Sequence, residues 1–249
     1  MFGWFQSLHR SGLQRRPLPD EWMSALDEHV PFFEELDSEE RETFLEYLKV
    51  FVWEKHWVSA AGMEITEEVK AVIGAAAVRL VLRLGIDKYD RLSEIVVYPG
   101  HYRHPDDDDG IVYGEANEWG TVVLSWPAVL SGLKNQFDGR DTATHEFAHV
   151  LDKGGGQFNG TPELRRWGHY KDWAEVMSTH YLNLRERNRE ELKVLDYYGA
   201  QNEAEFFAVA TESFFEKPKQ MKKHTPELFE QLKLFYGWEP PGTANDQDD

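Results

Sequence analysis

The strand patterns of this chain are confined to one short stretch, and helical patterns fill the sequence on both sides of it. Three segments within residues 94–127 predict strands, because they are rich in β-branched residues and bounded by turn residues: EIVVYPG, GIVYGEA and GTVVLSWP. Only Asn-Glu-Trp separates the last two, which predicts a hairpin. So few strands between two helical blocks indicate an α+β fold with a small β-sheet between an N-terminal helical layer and C-terminal helices.

The helical blocks set the expected domain boundaries. Residues 20–84 have helical patterns throughout, and their apolar stretch Val72–Ile86 predicts a buried helix that is too short to span a bilayer. After the strands, helices are predicted over residues 127–135, 142–153, 163–191 with a break, 202–216 and 226–236. We expect three regions: an N-terminal helical region over 1–92, a second domain over 93–240, and a disordered acidic tail over 241–249.

Charge and cysteine content exclude several classes of function. The net charge of −18 repels phosphates, so we expect no direct binding of nucleic acid. There is no cysteine, so any transition-metal site must use His, Asp, Glu or Tyr. The first nineteen residues lack the apolar region and cleavage site of a signal peptide, and no segment spans a membrane, so the expected location is cytoplasmic. Four consecutive acids, Asp106–Asp109, are interpreted as a solvated loop rather than a cation site.

One stretch, TATHEFAHVLDKGG, carries a pattern of metal chemistry. A helix is predicted between Asp141 or Thr142, which are good N-caps, and the stop at Gly154–Gly155. His145 and His149 are four residues apart and share one face of it, so both imidazoles can reach one ion. The alternative is two histidines on an ordinary helix, since HExxH also arises by chance.

The residues beside these histidines fit metal-dependent hydrolysis. Glu146 is turned about 100° from His145 around the helix axis, so it can contact a metal-bound water and act as its general base. Asp152 is one turn after His149 and is expected to hold a ligand imidazole through its second nitrogen. The expected cofactor is one zinc ion per chain.

Two histidines need a third protein ligand to hold a catalytic zinc. Candidates lie in the apolar stretch NEAEFFAVATESFF, where Asn202 is a candidate cap and the acids are Glu203, Glu205 and Glu212. An acid within such a buried helix needs a partner. Glu205 and Glu212 are seven residues apart, hence on one face but about 10 Å apart along the axis, so only one can bind a given ion. The other would hold a ligand or make a helix-packing contact.

The segments THEFAHVLD and YGAQNEAEFFAVATESFF together resemble the zinc metallopeptidase family of Mlc titration factor A. They are also similar to the catalytic domain of anthrax lethal factor, a gluzincin. The resemblance implies that His145, His149 and Glu205 are zinc ligands and that Glu146 is the general base. It also implies that Tyr198 polarises the substrate carbonyl or stabilises the oxyanion.

The resemblance implies a zincin-like metallopeptidase fold for the second domain, with the zinc ligands on its C-terminal helices. Two functions remain open. The first is a peptidase, with endopeptidase and aminopeptidase specificity both allowed; the second is a regulatory module that captures a transcription repressor, with catalysis secondary. The enteric members of the family regulate sugar-uptake genes. Tyr113 stands where they have a histidine associated with masking the zinc, so the resemblance does not carry masking over to this chain.

Overall fold

The computed structural model describes most of the chain, in five segments: residues 2–100, 114–116, 120–135, 137–156 and 158–240. The chain divides into two compact units, Met1–Lys134 and Asn135–Asp249. The acidic run Asp106–Asp109, Tyr113 and the predicted tail at 241–249 lie outside the described residues. Within the described part, no helix is both long and apolar enough to cross a membrane.

The first unit contains five described α-helices, and capping residues mark the start of two of them. They are α1 (Phe2–Gln14), α2 (Asp20–His29), α3 (Ser38–Glu54), α4 (Glu67–Val81) and α5 (Trp126–Lys134). Helix α3 starts at a capping box in which Asp37 and Glu40 each accept a hydrogen bond from the other's backbone N–H. Thr66 caps α4 through the backbone N–H of Val69. Helix α4 is buried over most of its length, which confirms the buried helix predicted there.

The first unit also contains a four-stranded sheet. Its strands are β1 (His56–Ser59), β2 (Glu94–Tyr98), β3 (Gly114–Ala116) and β4 (Thr121–Ser125), in the order β1-β2-β4-β3. β1, β2 and β4 run parallel, whereas β3 pairs antiparallel with β4. The antiparallel pair confirms the predicted hairpin. A helix-rich chain with one small mixed sheet agrees with the expected α+β class.

Strand β1 corrects the expectation that residues 20–84 are helical throughout. Helix α3 ends at Glu54, Lys55 is extended, and the backbone N–H of His56 already donates to Ser93 O at 2.9 Å. No glycine or proline separates the helix from this four-residue strand, so the local sequence carries no turn signal. The strand exists because it pairs in parallel with β2, whose residues come much later in the chain.

The second unit is helical in its described residues. Its α-helices are α6 (Thr142–Gly154), α7 (His169–Arg185), α8 (Glu203–Glu216), α9 (Pro218–His224) and α10 (Pro226–Tyr236), and its two 3-10 helices are Glu191–Lys193 and Tyr197–Ala200. The segment predicted over 163–191 is helical only from His169 to Arg185, followed by the first 3-10 helix. Helix α8 is buried along almost all of its length. Its Phe214 stacks on Tyr236 of α10 with ring centroids 5.5 Å apart.

Lys55 holds the junction between α3 and β1. Its buried ammonium group donates to the backbone oxygens of Tyr89 and Leu92, both at 2.7 Å. Burial lowers the pKa of Lys55 to about 8, although the neighbouring Glu54 carboxylate opposes the shift. These two bonds tie the start of β1 to the segment that leads into β2.

Lys55→Met should destabilise the protein by about 2 kcal/mol, because the two charge-assisted hydrogen bonds are lost. Between pH 8 and 10.5 the unfolded chain binds the proton more tightly than the folded one, so the contribution of Lys55 to stability rises with pH. The gap between wild type and variant should therefore widen over that range. Denaturant unfolding at pH 7, 8 and 10 measures it. Lys70→Met, at a partly buried ion pair with Glu67 on the surface of α4, is the control; equal losses for both variants would contradict the assignment.

Candidate metal centre

The helix that contains the two motif histidines, α6, is fixed at both ends. Asp141 is its N-cap and accepts from the backbone N–H of Thr144 at 3.1 Å and from its hydroxyl at 2.7 Å. At the C-terminal end, a Cβ on Gly155 would lie 2.3 Å from the backbone oxygen of Thr161, so only glycine fits there. Buried apolar side chains on α6, Phe147 among them, face the core, which leaves the histidines on another face.

The side-chain atoms of His145, His149 and Glu205 converge. Glu205 Oε2 lies 3.0 Å from His145 Nε2 and 3.4 Å from His149 Nε2, and the two imidazole nitrogens are 3.2 Å apart. Among the described residues, these three form the one group whose potential ligand atoms all lie within 4.8 Å of one another. Glu205 is presented by α8, whose N-cap Asn202 accepts from the Glu205 backbone N–H at 2.9 Å. The arrangement can hold a metal ion.

Glu212 holds His145 from the opposite side of the ring. Its Oε1 accepts from His145 Nδ1 at 2.7 Å, and its Oε2 accepts from the backbone N–H of Asp141 at 2.8 Å. The protonated ring donates from Nε2 to Glu205 as well; when the ring is neutral and donates from Nδ1 to Glu212, its Nε2 lone pair is free for a metal ion. Of the two glutamates left open by their spacing, Glu205 therefore lies at the Nε2 atoms and Glu212 at Nδ1.

The electrostatics of the cluster favour positive charge. Burial lowers the pKa of His145, but Glu212 and Glu205 outweigh that effect and hold it well above its ordinary value. Burial raises the pKa of Glu205, but the two histidines bring it down to about 2. The carboxyl groups of Glu212, Glu205 and Glu146 lie around the two imidazoles. Together they create a negative field that stabilises a cation.

Glu146 has the opposite shift. It is 6% exposed, and burial raises its pKa to about 7 despite the neighbouring histidines, which lower it. A carboxyl group with this pKa can accept a proton and return it near neutral pH. Two glutamates of the same cluster, Glu146 and Glu205, are thereby suited to different chemistry.

Asp152 has a different contact from the one expected. It is fully buried, and its Oδ2 accepts from the backbone N–H of Gly160 at 2.9 Å, so it anchors the chain that follows α6. Burial raises its pKa to about 6. His149 Nδ1 and Asp152 Oδ1 are both buried, and neither has a hydrogen-bond partner within the described part of the chain. The expected hydrogen bond from Asp152 to a ligand imidazole is therefore not present in this structure.

Tyr198 lies at the edge of the cluster, on the 3-10 helix Tyr197–Ala200. Its ring centroid is 5.9 Å from that of His145, and the residue is 48% exposed. Burial of its ring and the nearby carboxylates Glu205 and Glu146 raise its pKa to about 12. The phenol therefore keeps its proton at neutral pH and can donate a hydrogen bond to a molecule at the cluster.

Sequence reasoning missed three residues that support this cluster. Asp196 caps the 3-10 helix by accepting from the backbone N–H of Tyr198 at 2.9 Å, and Arg140 pairs with Asp196 at 2.7 Å. Glu216, near the end of α8, accepts from two backbone N–H groups ahead of α6. An Asp two residues before Tyr198 is a recognisable capping signal, and Glu216 follows Glu212 by one helical turn. No local pattern in the sequence predicts the pairing of Arg140 with Asp196.

Comparisons with known proteins agree with a metal centre of this kind. Residues 4–237 match the model of a family described as glucose-regulated metallo-peptidase M90. Over 240 residues, 92% of this chain and 87% of the relative, the chain is 35% identical to the protein slr2042 of Synechocystis sp..

Other relatives are named Mlc titration factor A. The protein of Serratia proteamaculans is 29% identical over 239 residues, 88% of this chain and 87% of that protein. The protein of Escherichia fergusonii is 30% identical over 237 residues, 88% of this chain and 86% of that protein. The resemblance to the family of Mlc titration factor A is confirmed over nearly the whole chain, and the chain belongs to the glucose-regulated metallo-peptidase M90 family.

Proposed function

We propose that this protein is a zinc-dependent metallopeptidase of the gluzincin type. His145, His149 and Glu205 bind the ion, and Glu146 is the general base. The observation that carries the proposal is the convergence of two imidazole nitrogens and one carboxylate oxygen from α6 and α8. Membership of a metallopeptidase family supports the reaction class.

The spacing of the three donor atoms fits zinc. Ligands of a tetrahedral zinc ion at 2.0–2.1 Å are about 3.3 Å from one another. The three separations in the cluster are 3.0, 3.2 and 3.4 Å. Two imidazoles and one carboxylate are also a donor set that catalytic zinc sites use, with a further position left open. We infer one zinc ion per chain.

Each remaining residue has a role in peptide hydrolysis. When bound, the ion supplies Lewis acidity, which polarises a carbonyl oxygen and lowers the pKa of a water to about 7. Glu146 takes the proton of the attacking water and delivers it to the leaving amine, which its pKa of about 7 allows. Tyr198 donates to the carbonyl oxygen as negative charge develops there. Glu212 keeps His145 in the tautomer that offers Nε2.

A second candidate function is regulatory binding of a transcription repressor. Relatives named Mlc titration factor A favour it, because their name describes the titration of Mlc. The net charge of −18 suits a partner with a basic DNA-binding face. A cytoplasmic location would follow from such a partner. The two functions are compatible, and a variant with intact metal but no hydrolysis separates them.

Replacing Glu205, the proposed ligand, should weaken zinc binding more than replacing Glu212, which holds His145. Purified protein should hold about one zinc per chain by elemental analysis. Glu205→Gln should weaken zinc binding by more than 100-fold, and Glu212→Gln by about 10- to 100-fold, because it acts through His145. Competition with a chelator measures both. Glu203→Gln, at an exposed acid on the same helix, is the control. A larger loss for Glu212→Gln than for Glu205→Gln would reverse the ligand choice.

Glu146→Gln should abolish most hydrolysis without removing the metal. The amide cannot accept the proton of the water, so kcat on a peptide panel should fall by about 10²- to 10⁴-fold. Zinc content and thermal unfolding should remain close to those of wild type. Hydrolysis that persists in this variant would rule out the mechanism. A variant that is inactive yet still relieves a repressor in a transcription assay would show that regulation does not require the reaction.

A further inference from the structure

The loop before α6 (residues 137–141, the pre-α6 loop) is tied to α8 by carboxylates. Glu216 Oε2 accepts from the backbone N–H groups of Gly139 at 2.9 Å and Arg140 at 3.1 Å. Glu212 Oε2 accepts from the next N–H, that of Asp141, at 2.8 Å. The backbone of Arg140 is therefore fixed to the same helix that presents Glu205.

From this anchored position, the side chain of Arg140 reaches the segment that carries Tyr198. Its Nε and Nη2 both donate to Asp196 Oδ2, at 3.1 and 2.7 Å. The other oxygen of Asp196 accepts from the backbone N–H of Tyr198 at 2.9 Å. A single carboxylate thus joins the pre-α6 loop to the backbone of the tyrosine.

The residues on either side of Tyr198 are held separately. A Cβ on Gly199 would lie only 3.2 Å from Val209 and 3.4 Å from Leu184, so the backbone packs closely against α7 and α8 there. The guanidinium of Arg187 lies 4.0 Å from the ring centroid of Tyr197. The half-exposed ring of Tyr198 has its described ring contact with His145 alone. The position of the ring therefore depends on how the backbone of Tyr198 is held, and the N–H of that backbone is bonded to Asp196.

We propose that Arg140 and Asp196 are positioning residues for Tyr198: their ion pair holds the phenol where it can donate to the substrate carbonyl. The inference rests on the proposed function of the metal centre. The hydrogen bonds of the two side chains go to each other and to the backbone of Tyr198, not to the three candidate ligands, so the pair acts through that backbone. Arg140 is three-quarters exposed, and the effect of an exposed ion pair corresponds to about a two- to five-fold change in an equilibrium.

The test uses substitutions that remove the ion pair and keep the local backbone contacts. Asp196→Asn retains a side chain that can cap Tyr198, and Arg140→Gln retains the backbone N–H bonded to Glu216. Each should lower kcat about two- to five-fold with KM and zinc content unchanged, because an interaction made only in the transition state is weakened. Arg140→Lys keeps the charge and should recover part of the loss.

A mutant cycle shows whether the pair acts through the tyrosine. In a Tyr198→Phe background, Arg140→Gln should cause no further loss of kcat, because the hydroxyl that it positions is absent. Arg83→Gln, which breaks an exposed ion pair with Glu40 in the other unit, is the matched control and should leave kcat unchanged. An additive loss in the double variant, or a rise in KM alone, would overturn the proposal.

Hydrogen exchange gives a readout that does not depend on activity. Exchange at residues 196–201 should quicken about two- to five-fold in Asp196→Asn and Arg140→Gln, with exchange in α6 unchanged. Unchanged exchange in that segment would overturn the proposal. Faster exchange with normal kcat would also overturn it, because the pair would then order the segment without positioning the phenol. If zinc-loaded wild type cleaves no peptide, the proposed function fails, whereas the exchange result still reports whether the pair holds the segment.

Discussion

The second unit depends on the contact between α8 and α6 with the residues just before it. Three carboxylates of α8 make this contact: Glu205, Glu212 and Glu216. Glu212 and Glu216 are almost fully buried, and a buried carboxylate is costly unless it is paired. Their partners are the Nδ1 of His145 and three successive backbone N–H groups ahead of α6. These contacts bring α6 and α8 into the register at which Glu205 meets both histidines. The helix–helix contact and the candidate metal centre are therefore one arrangement.

The same arrangement separates the chemistry of two glutamates. Glu205 lies beside two imidazoles, and its pKa of about 2 keeps it ionised, as a metal ligand must be. Glu146 is one residue from His145 but buried, and its pKa of about 7 suits proton transfer. Burial and neighbouring charge push the two pKa values apart, and this difference supports the roles proposed for them.

The candidate metal centre lies in one unit, whereas the resemblance to the M90 family covers both. The candidate ligands, the proposed base and the tyrosine all lie within the unit Asn135–Asp249. The relatives named Mlc titration factor A align over both units, so the family resemblance is not limited to the metal centre. The proposed peptide hydrolysis and the proposed regulatory role do not exclude each other, and the Glu146 variant separates them.

Local physics made part of this structure predictable from the sequence. Caps at Asp141 and Thr66, the hairpin of β3 and β4, and the shared face of His145 and His149 each follow from residues a few positions apart. Strand β1 was missed, because its partner β2 is distant in sequence and no turn residue separates it from α3.

The sequence by itself determined the two motif segments, the helical placement of the histidines and, through their resemblance, the family. Only the tertiary structure decided which glutamate meets the Nε2 atoms, that Asp152 bonds Gly160, and that Arg140 pairs with Asp196. The physical reason is that helical periodicity fixes which side chains share a face, whereas contacts between elements depend on how those faces pack. Glu205 and Glu212 occupy the same face of one helix, so only the axial position of α6 against α8 could distinguish them.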